Sequence, residues 1–445
     1  MEKISARYAC VISLSRMEKD GRYSNIELDA TIKKYALEGA EKALYSRILY
    51  GVLEHLYTID AMLNSVSNRN LDELDGEIRA ILRSGTYQIH YLDKIPLSAA
   101  VNESVKLASR RGAGVKGYIN AVLRAVSKIN ISEFLENLKK KLDDAGFLSI
   151  KYSVCKDTVS LILSQYGFDK TEKILKNLCG SDKGMSLRVN TLKTTADLLC
   201  SKLTEYGASK SSLCDDCVKT EKGFFIESEE CFINGEYFVQ SEPSALCAAA
   251  LGAKKGECVI DACACPGGKT FAIAIDMENT GEIIACDLHE NKLSLIHKGA
   301  KRLGIDIIKT KACDGRIENP SLLSTADRVI CDVPCSCLGT ISKKPEIRYK
   351  SYEEYSRLPQ IQLDILKNNA SYVKKGGVLV YSTCTFDKNE NEAVVKSFLE
   401  ENKDFSPVFE EYSDKFDTCR DSVGTCFLPC ENCADGFYIS KLIRN

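Results

Sequence analysis

The sequence predicts a multidomain chain. An all-α domain is expected over residues 1–146, a small α+β segment over 150–236, and an α/β domain with a doubly wound parallel sheet over 237–445. Three observations carry this. A chain of 445 residues exceeds what one ordinary core accommodates. From residue 27 to about 130 the apolar positions recur at helical spacing. From Val239 onward short apolar runs alternate with helical patterns, the signature of parallel strands joined by helices.

Composition narrows the function classes. Apolar residues make up 44%, enough for full cores, and the net charge of -2 supplies no global basic field. Nucleic-acid binding would therefore have to use local patches. No apolar run reaches the roughly 20 residues of a membrane span. Cys10-Val11-Ile12, near the start, is too short a centre for a signal peptide. A cytoplasmic location with no membrane partner is expected. The 21 cysteines then read as free thiols, metal ligands or catalytic groups. Cys10, Cys179, Cys247 and Cys258 lie in apolar runs, where a thiol behaves as a small hydrophobe. Cys214 with Cys217, and Cys430 with Cys433, have zinc-knuckle spacing but stand far apart without a histidine at ligand spacing. Two solvent-side loops and no metal are expected there.

In the first domain Ala40, Leu44, Ile48 and Val52 fall at steps of four, and Leu74, Ile78, Ile81 and Leu82 continue the period. Pro96 marks a break. Lys106, Arg110, Arg111, Lys116, Arg124 and Lys128 then face a single acid, Glu103. Gly112, Gly114 and Gly117 interrupt this window and predict a tight loop between two helices. Such a basic loop suits phosphate or is a solvated face, and composition leaves both open. In the middle segment, helical stretches at 159–166 and 174–178 lead to a short strand at 187–191. A helix at 196–203 and a second extended region at 223–226 follow. Arg188 and Asn190 on the first strand read either as substrate contacts or as a surface arginine beside a turn asparagine.

In the last domain strands are predicted at 257–261, 281–287, 306–309, 327–332 and 377–382, with helices at 271–277, 291–303 and 356–373. Ligands of such sheets bind beyond the carboxyl ends of strands. Asp261, Asp287, Asp314, Asp332 and Cys384 all stand at such ends. The loop Cys263-Ala264-Cys265-Pro266-Gly267-Gly268-Lys269-Thr270 follows the first strand. A P-loop would need glycine at 263, and the dinucleotide fingerprint is absent. A nucleoside loop remains, with Asp287 placed for ribose hydroxyls and Asp314 for the adenine side. Ribose and adenine without a polyphosphate cradle point to S-adenosylmethionine. Two thiols, Cys335 in a Pro-Cys pair and Cys384, then suggest covalent methylation of a pyrimidine at carbon 5. A thiolate adding to carbon 6 makes carbon 5 nucleophilic. A free thiol titrates near roughly 8.5, so the site must activate it. Asp332 could bind the ring nitrogen and amino edge of cytosine, and Lys269, the one cation of the loop, could stabilise developing charge. Spacing does not tell which thiol attacks. His55, His90, His289 and His297 match no metal or base pattern.

Two resemblances sharpen the reading. The runs Ile81-Leu82-Arg83-Ser84-Gly85-Thr86-Tyr87-Gln88, Ile95-Pro96-Leu97-Ser98-Ala99-Ala100-Val101-Asn102-Glu103 and Asn120-Ala121-Val122-Leu123-Arg124 resemble the NusB family of helical RNA-binding modules. The runs Asp261-Ala262-Cys263-Ala264-Cys265-Pro266-Gly267-Gly268-Lys269-Thr270, Asp332-Val333-Pro334-Cys335-Ser336 and Tyr381-Ser382-Thr383-Cys384 resemble the Sun family of RNA cytosine-5 methyltransferases. Asp435-Gly436-Phe437-Tyr438-Ile439-Ser440-Lys441-Leu442 is similar to that family's last strand. A NusB-like domain ahead of a Rossmann-like methyltransferase domain is the arrangement of members that act on 16S rRNA. The resemblance implies Cys384 as attacking nucleophile, Cys335 as the thiol that helps release product, and Asp332 and Lys269 beside them. It implies S-adenosylmethionine held by Cys263, Ala264, Cys265, Pro266, Gly267, Gly268, Lys269, Asp287, Asp314 and Asp332. Arg110, Arg111, Lys116, Arg124 and Arg188 are the expected RNA contacts. The implied partner is 16S rRNA, naked or in early assembly, with no DNA, and the chain is expected to act as a monomer. Two departures stand out: Cys265 where the family usually has alanine, and Ser153-Val154-Cys155-Lys156 where relatives tend to carry proline and tryptophan.

Overall fold

The structure, a computed structural model, describes residues 4–180, 184–433 and 435–445. It divides into two compact units. One comprises Met1–Glu172 with Lys343–Tyr352, the other Lys173–Ser342 with Glu353–Asn445.

The first unit is helical. Ser5 caps the helix Ala6–Asp20 by accepting from the Tyr8 amide, and Gly21 ends it in the left-handed conformation. The predicted step of four holds in the second half of the helix Gly39–Glu54, where Ile48 and Val52 are fully buried; Leu44 is half-buried and Ala40, in the first turn, is exposed. The helix Gly76–Tyr91 crosses the core closely because of Gly85. A Cβ there would stand 2.8 Å from Ser104 Oγ and 2.9 Å from a Leu123 methyl. Pro96 precedes the helix Leu97–Leu107, as the break predicts. Between it and the helix Ala113–Val126, Gly112 takes φ 86° and makes the turn, while Gly114 and Gly117 lie inside the second helix.

The unit runs past the composition change near residue 146. The helix Asp144–Tyr152 packs against the helix Leu56–Val66, where Thr58 Oγ1 donates to the Ile150 carbonyl at 2.6 Å. The segment Lys343–Tyr352, remote in sequence, completes it. Arg348 is buried and donates to the carbonyls of Glu54 and Tyr152, each at 3.1 Å. Its own carbonyl accepts from the Cys155 amide at 2.6 Å.

In the second unit, β1 (Ser186–Val189), β2 (Ser209–Lys210), β3 (Cys217–Lys219) and β4 (Tyr237–Val239) form an antiparallel sheet in the order β2-β3-β1-β4. The extended region expected at 223–226 is outside this sheet. Phe224 instead stacks on Tyr206 with ring centroids 4.0 Å apart. Arg188 is corrected twice over. It is 2% exposed and pairs with Asp276 at 2.8 Å and Asp216 at 3.3 Å, so it is neither a surface arginine nor free to meet a phosphate. A buried guanidinium needs this pairing to offset lost solvation. Asn190 is likewise structural, donating to the carbonyls of Gly235 and Leu303. In the Cys430–Cys433 loop Glu431 and Asn432 are exposed, as expected, while both thiols are buried in the core.

The large sheet contains β5 (Cys258–Asp261), β6 (Glu282–Asp287), β7 (Ile308–Ala312), β8 (Ala326–Asp332) and β9 (Val373–Thr383), with β10 (Phe405–Val408), β11 (Asp417–Arg420), β12 (Thr425–Leu428) and β13 (Phe437–Arg444). The path runs β11-β12-β13-β9-β8-β5-β6-β7, and β10 also pairs with β13. The five strands from β5 to β9 are mutually parallel, as predicted; β10 to β13 pair antiparallel. The order reverses at β5, which lies between β6 and β8, and a crevice opens where neighbouring connections leave in opposite directions. Among the described residues no helix is long and apolar enough to cross a membrane.

Candidate active site

The site stands at the carboxyl ends of β5, β6, β8 and β9. The loop after β5 runs into the helix Gly268–Asp276 through Gly267, whose φ of 114° only glycine adopts readily. Lys269, on the first turn of this helix, donates to Asp332 Oδ2 at 2.6 Å. Its Nζ also lies 5.1 Å from the centre of the Phe437 ring. Burial opposes the charge on Lys269, but the adjacent Asp332 carboxylate outweighs it and raises the pKa. Ser382 Oγ donates to the other oxygen of Asp332 at 2.8 Å, so the carboxylate is held from two sides.

Asp287, at the end of β6, accepts from the Cys265 amide at 3.2 Å and the His289 amide at 3.0 Å. It thereby ties the loops after β5 and β6 together. Asp314 is engaged by Arg316 at 2.6 Å, which holds its carboxyl below the usual range. The extra thiol, Cys265, is half-buried and pushed up to about 12 by burial and the nearby Asp287.

The two thiols predicted from strand ends meet: Cys335 Sγ and Cys384 Sγ are 3.2 Å apart. Contacts with Cys337 and Cys384, then burial, push the Cys335 thiol up. For Cys384 the contact with Cys335 works downward, but Cys337 and burial outweigh it. Two sulfurs this close cannot both ionise cheaply, so the pair titrates as one system.

Several residues that hold this geometry escaped sequence reasoning. Glu390 is buried beneath the Pro-Cys loop. It accepts from the Ser336 amide at 2.9 Å and from Gln362 Nε2 at 2.8 Å, while Gln362 also donates to the Pro334 carbonyl. Burial pushes Glu390 up to about 7. The Gly339 amide donates to the Cys384 carbonyl at 3.0 Å, and the Gly339 carbonyl accepts from the Gly436 amide at 2.9 Å. A Cβ on Gly339 would lie 1.9 Å from the Gly436 carbonyl oxygen, so glycine is what lets three loops meet. Cys337 brings a third sulfur. The Sγ atoms of Cys335, Cys337 and Cys384 lie within 4.8 Å of one another. The Cys335-Ser336-Cys337 spacing was the available signal for it.

The expected RNA contacts belong to the helical unit, apart from Arg188. Arg111 is exposed and pairs with Glu77 and with Asp75. Arg124 is exposed, with Nε donating to Asn120 Oδ1 at 3.0 Å, and Lys116 is half-buried. The side chain of Arg110 lies outside the described residues. A cleft of about 550 Å³ beside these helices is lined by Pro96, Asn102, Glu103, Lys106 and Asn120 among others.

The donor set fits a nucleoside without a polyphosphate. Lys269, the loop's cation, is committed to Asp332 rather than to a phosphate cradle, and the acceptor Asp287 is only half-buried. The fold and this site define an S-adenosylmethionine-dependent methyltransferase. More particularly, the chain belongs to the 16S rRNA methyltransferase RsmB/F family, whose model matches residues 248–443, and residues 4–128 match the NusB family. It is 37% identical to the probable ribosomal RNA small subunit methyltransferase B of Bacillus subtilis (strain 168), over 92% of this chain and 91% of that one. A Synechocystis protein of the same description is 30% identical over 99% of both chains. Among solved structures, the crystal structure of PH0851 superposes with a TM-score of 0.81 at 25% identity, covering 99% of each chain. The fold of NSun6 from Pyrococcus horikoshii matches over 65% of this chain with a TM-score of 0.56 at 23% identity. The protein is thus an rRNA methyltransferase that uses S-adenosylmethionine.

Proposed function

We propose that the chain methylates carbon 5 of a cytosine in 16S rRNA through a transient cysteine–cytosine bond. The observation that carries this reading is the Cys335–Cys384 sulfur pair, 3.2 Å apart beside the Lys269–Asp332 ion pair. S-adenosylmethionine supplies an electrophilic methyl group. Cys384 thiolate adds to carbon 6, forming an S–C bond and moving the ring's π electrons toward carbon 5 and the ring nitrogen. Asp332, steadied by Lys269 and Ser382, accepts from the amino edge of the base. Carbon 5 takes the methyl, and the electron pair of the broken bond stays with the cofactor's sulfur. Once Cys384 is bonded to the ring, Cys335 no longer faces a thiolate and loses its proton to solvent more easily. It then takes the proton from carbon 5, the S–C6 bond breaks, and the pair returns to Cys384. One proton is released overall.

In this reading Cys263 to Lys269 and Asp287 hold the cofactor, with Asp314 on the adenine side. Arg110, Arg111, Lys116 and Arg124 of the NusB-like unit contact naked or early-assembly 16S rRNA, and the chain acts as a cytoplasmic monomer. Tritiated methyl transfer to unmodified 16S rRNA, followed by bisulfite mapping, tests the reading. Cys384→Ala should abolish transfer and form no adduct. Cys335→Ala should leave a denaturation-resistant enzyme–RNA band. An adduct with the first variant and none with the second would reverse the assignment, and methyl found elsewhere than carbon 5 would end it.

A further inference from the structure

We infer that Cys335, Cys337 and Cys384 form a three-thiolate site for a soft or borderline d10 cation of the zinc or cadmium type, and that its occupancy reversibly silences methyl transfer. The inhibitory consequence rests on the catalytic reading of Cys335 and Cys384; the metal site itself does not.

The geometry is close to that of a bound ion. Two thiolates on one tetrahedral zinc stand about 3.8 Å apart, since each Zn–S bond is about 2.3 Å. Here three sulfurs lie within 4.8 Å of one another, and the nearest two at 3.2 Å. Binding an ion would require the nearest two sulfurs to move apart. Among the described residues this is the one cluster of three or more such ligand groups.

The backbone explains how a Cys-x-Cys turn converges on a thiol from another strand. Cys337 adopts φ 61° and ψ 21°, the left-handed region a non-glycine residue seldom enters. The turn is clamped from outside by Ser336 on Glu390 and by Gly339 on Cys384. All three cysteines are half-buried as residues.

The ligand chemistry selects the cation. Three sulfurs with no carboxylate or imidazole in the cluster favour zinc, cadmium or copper(I) over magnesium or calcium. Three protein ligands also leave a fourth position open, as in zinc sites that exchange a ligand. The ion replaces the thiol protons and occupies the lone pairs that would attack carbon 6 or accept the carbon-5 proton. Cys337 makes and breaks no bond in the methyl-transfer steps, but its contacts raise both Cys335 and Cys384, so its removal also changes how those thiols titrate.

The test uses the full chain and cadmium ion as the probe. Cadmium is titrated at the thiolate-to-metal charge-transfer band, in parallel with tritiated methyl transfer inhibited by zinc. Cys337→Gly suits the left-handed backbone, and Cys337→Ser keeps a side chain of similar size. Both variants should lose one tight cadmium equivalent, a readout that does not depend on the rate of methyl transfer they keep. Both should also need at least about tenfold more zinc for half-inhibition, the minimum expected when a ligand is lost. Cadmium stoichiometry and zinc sensitivity equal to the parent protein would overturn the proposal. So would loss of the equivalent in Cys337→Gly alone with Cys337→Ser unchanged. If Cys384→Ala still transfers methyl while the Cys337 variants lose cadmium, the catalytic reading falls and the metal site stands.

Discussion

Each thiol of the proposed mechanism owes its setting to a neighbour that cannot be charged at the same time, and Lys269 offsets the negative charge around them. Its ion pair with Asp332, at 2.6 Å, is part-buried. Lys269→Met should leave Asp332 without its partner in a site where charge develops during addition. A fall in kcat of about 10²–10³ is expected, read by single-turnover tritium transfer, from removal of one preorganised donor. Cofactor affinity should change less. Cys384 and Cys335 were legible in the sequence because each ends an apolar run and one follows a proline. Their order of action was not, because the two sulfurs form one pair 3.2 Å apart. Arg188 misled for a related reason: a strand arginine looks the same in sequence whether it meets solvent or, as here, Asp276 and Asp216.

At the scale of elements, the parallel strands β5 to β9 were readable from apolar runs ending in polar residues. β11 was not, since it is a short edge strand with alternating exposure and no apolar run. β3 was hidden because a cysteine and one valine carry its burial. The Pro-Cys loop is the element whose shape matters most to the site, and its supports come from distant positions. Glu390→Ala should release the Ser336 amide and Gln362 together. A fall in kcat of about 10²-fold is expected with little change in the KM for S-adenosylmethionine, because the thiol shifts while the cofactor loop stays. Glu390→Gln keeps an acceptor oxygen and should restore most of the rate; equal loss in both variants would make charge, not the hydrogen bond, the reason. Gly339→Ala should do more damage, since its Cβ meets a backbone oxygen rather than a side chain that can move aside. Loss of activity with retained cofactor binding, measured calorimetrically, is the expected result.

Across the whole molecule, the two units carry buried groups that respond to pH in opposite senses. In the helical unit His55 stacks on Tyr91 with ring centroids 4.1 Å apart. Burial, then the charges of Arg348 and Arg47, lower its pKa from 6.5 to about 4. Arg348 belongs to the segment Lys343–Tyr352, which no local pattern could have assigned to the helical unit, as its 3.1 Å bond to the carbonyl of Tyr152, 196 residues earlier, illustrates. Because the unfolded chain binds this proton more readily, His55 makes stability rise with pH between 4 and 6.5. Near pH 5 the effect is on the order of 2 kcal/mol. In the catalytic unit Asp261 is buried, accepts from Thr270 Oγ1 at 2.7 Å, and is raised from 3.8 to about 7 by burial. There the native state holds the proton more readily, so its contribution is complete below the unfolded pKa and is lost as pH rises toward 7. Thermal unfolding of the full chain across this range should show both slopes. His55→Asn should flatten the acid-side loss, and Asp261→Asn should flatten the loss toward neutrality. If both variants keep the parent's pH profile, the half-buried His55 and the buried Asp261 are not the groups that govern it.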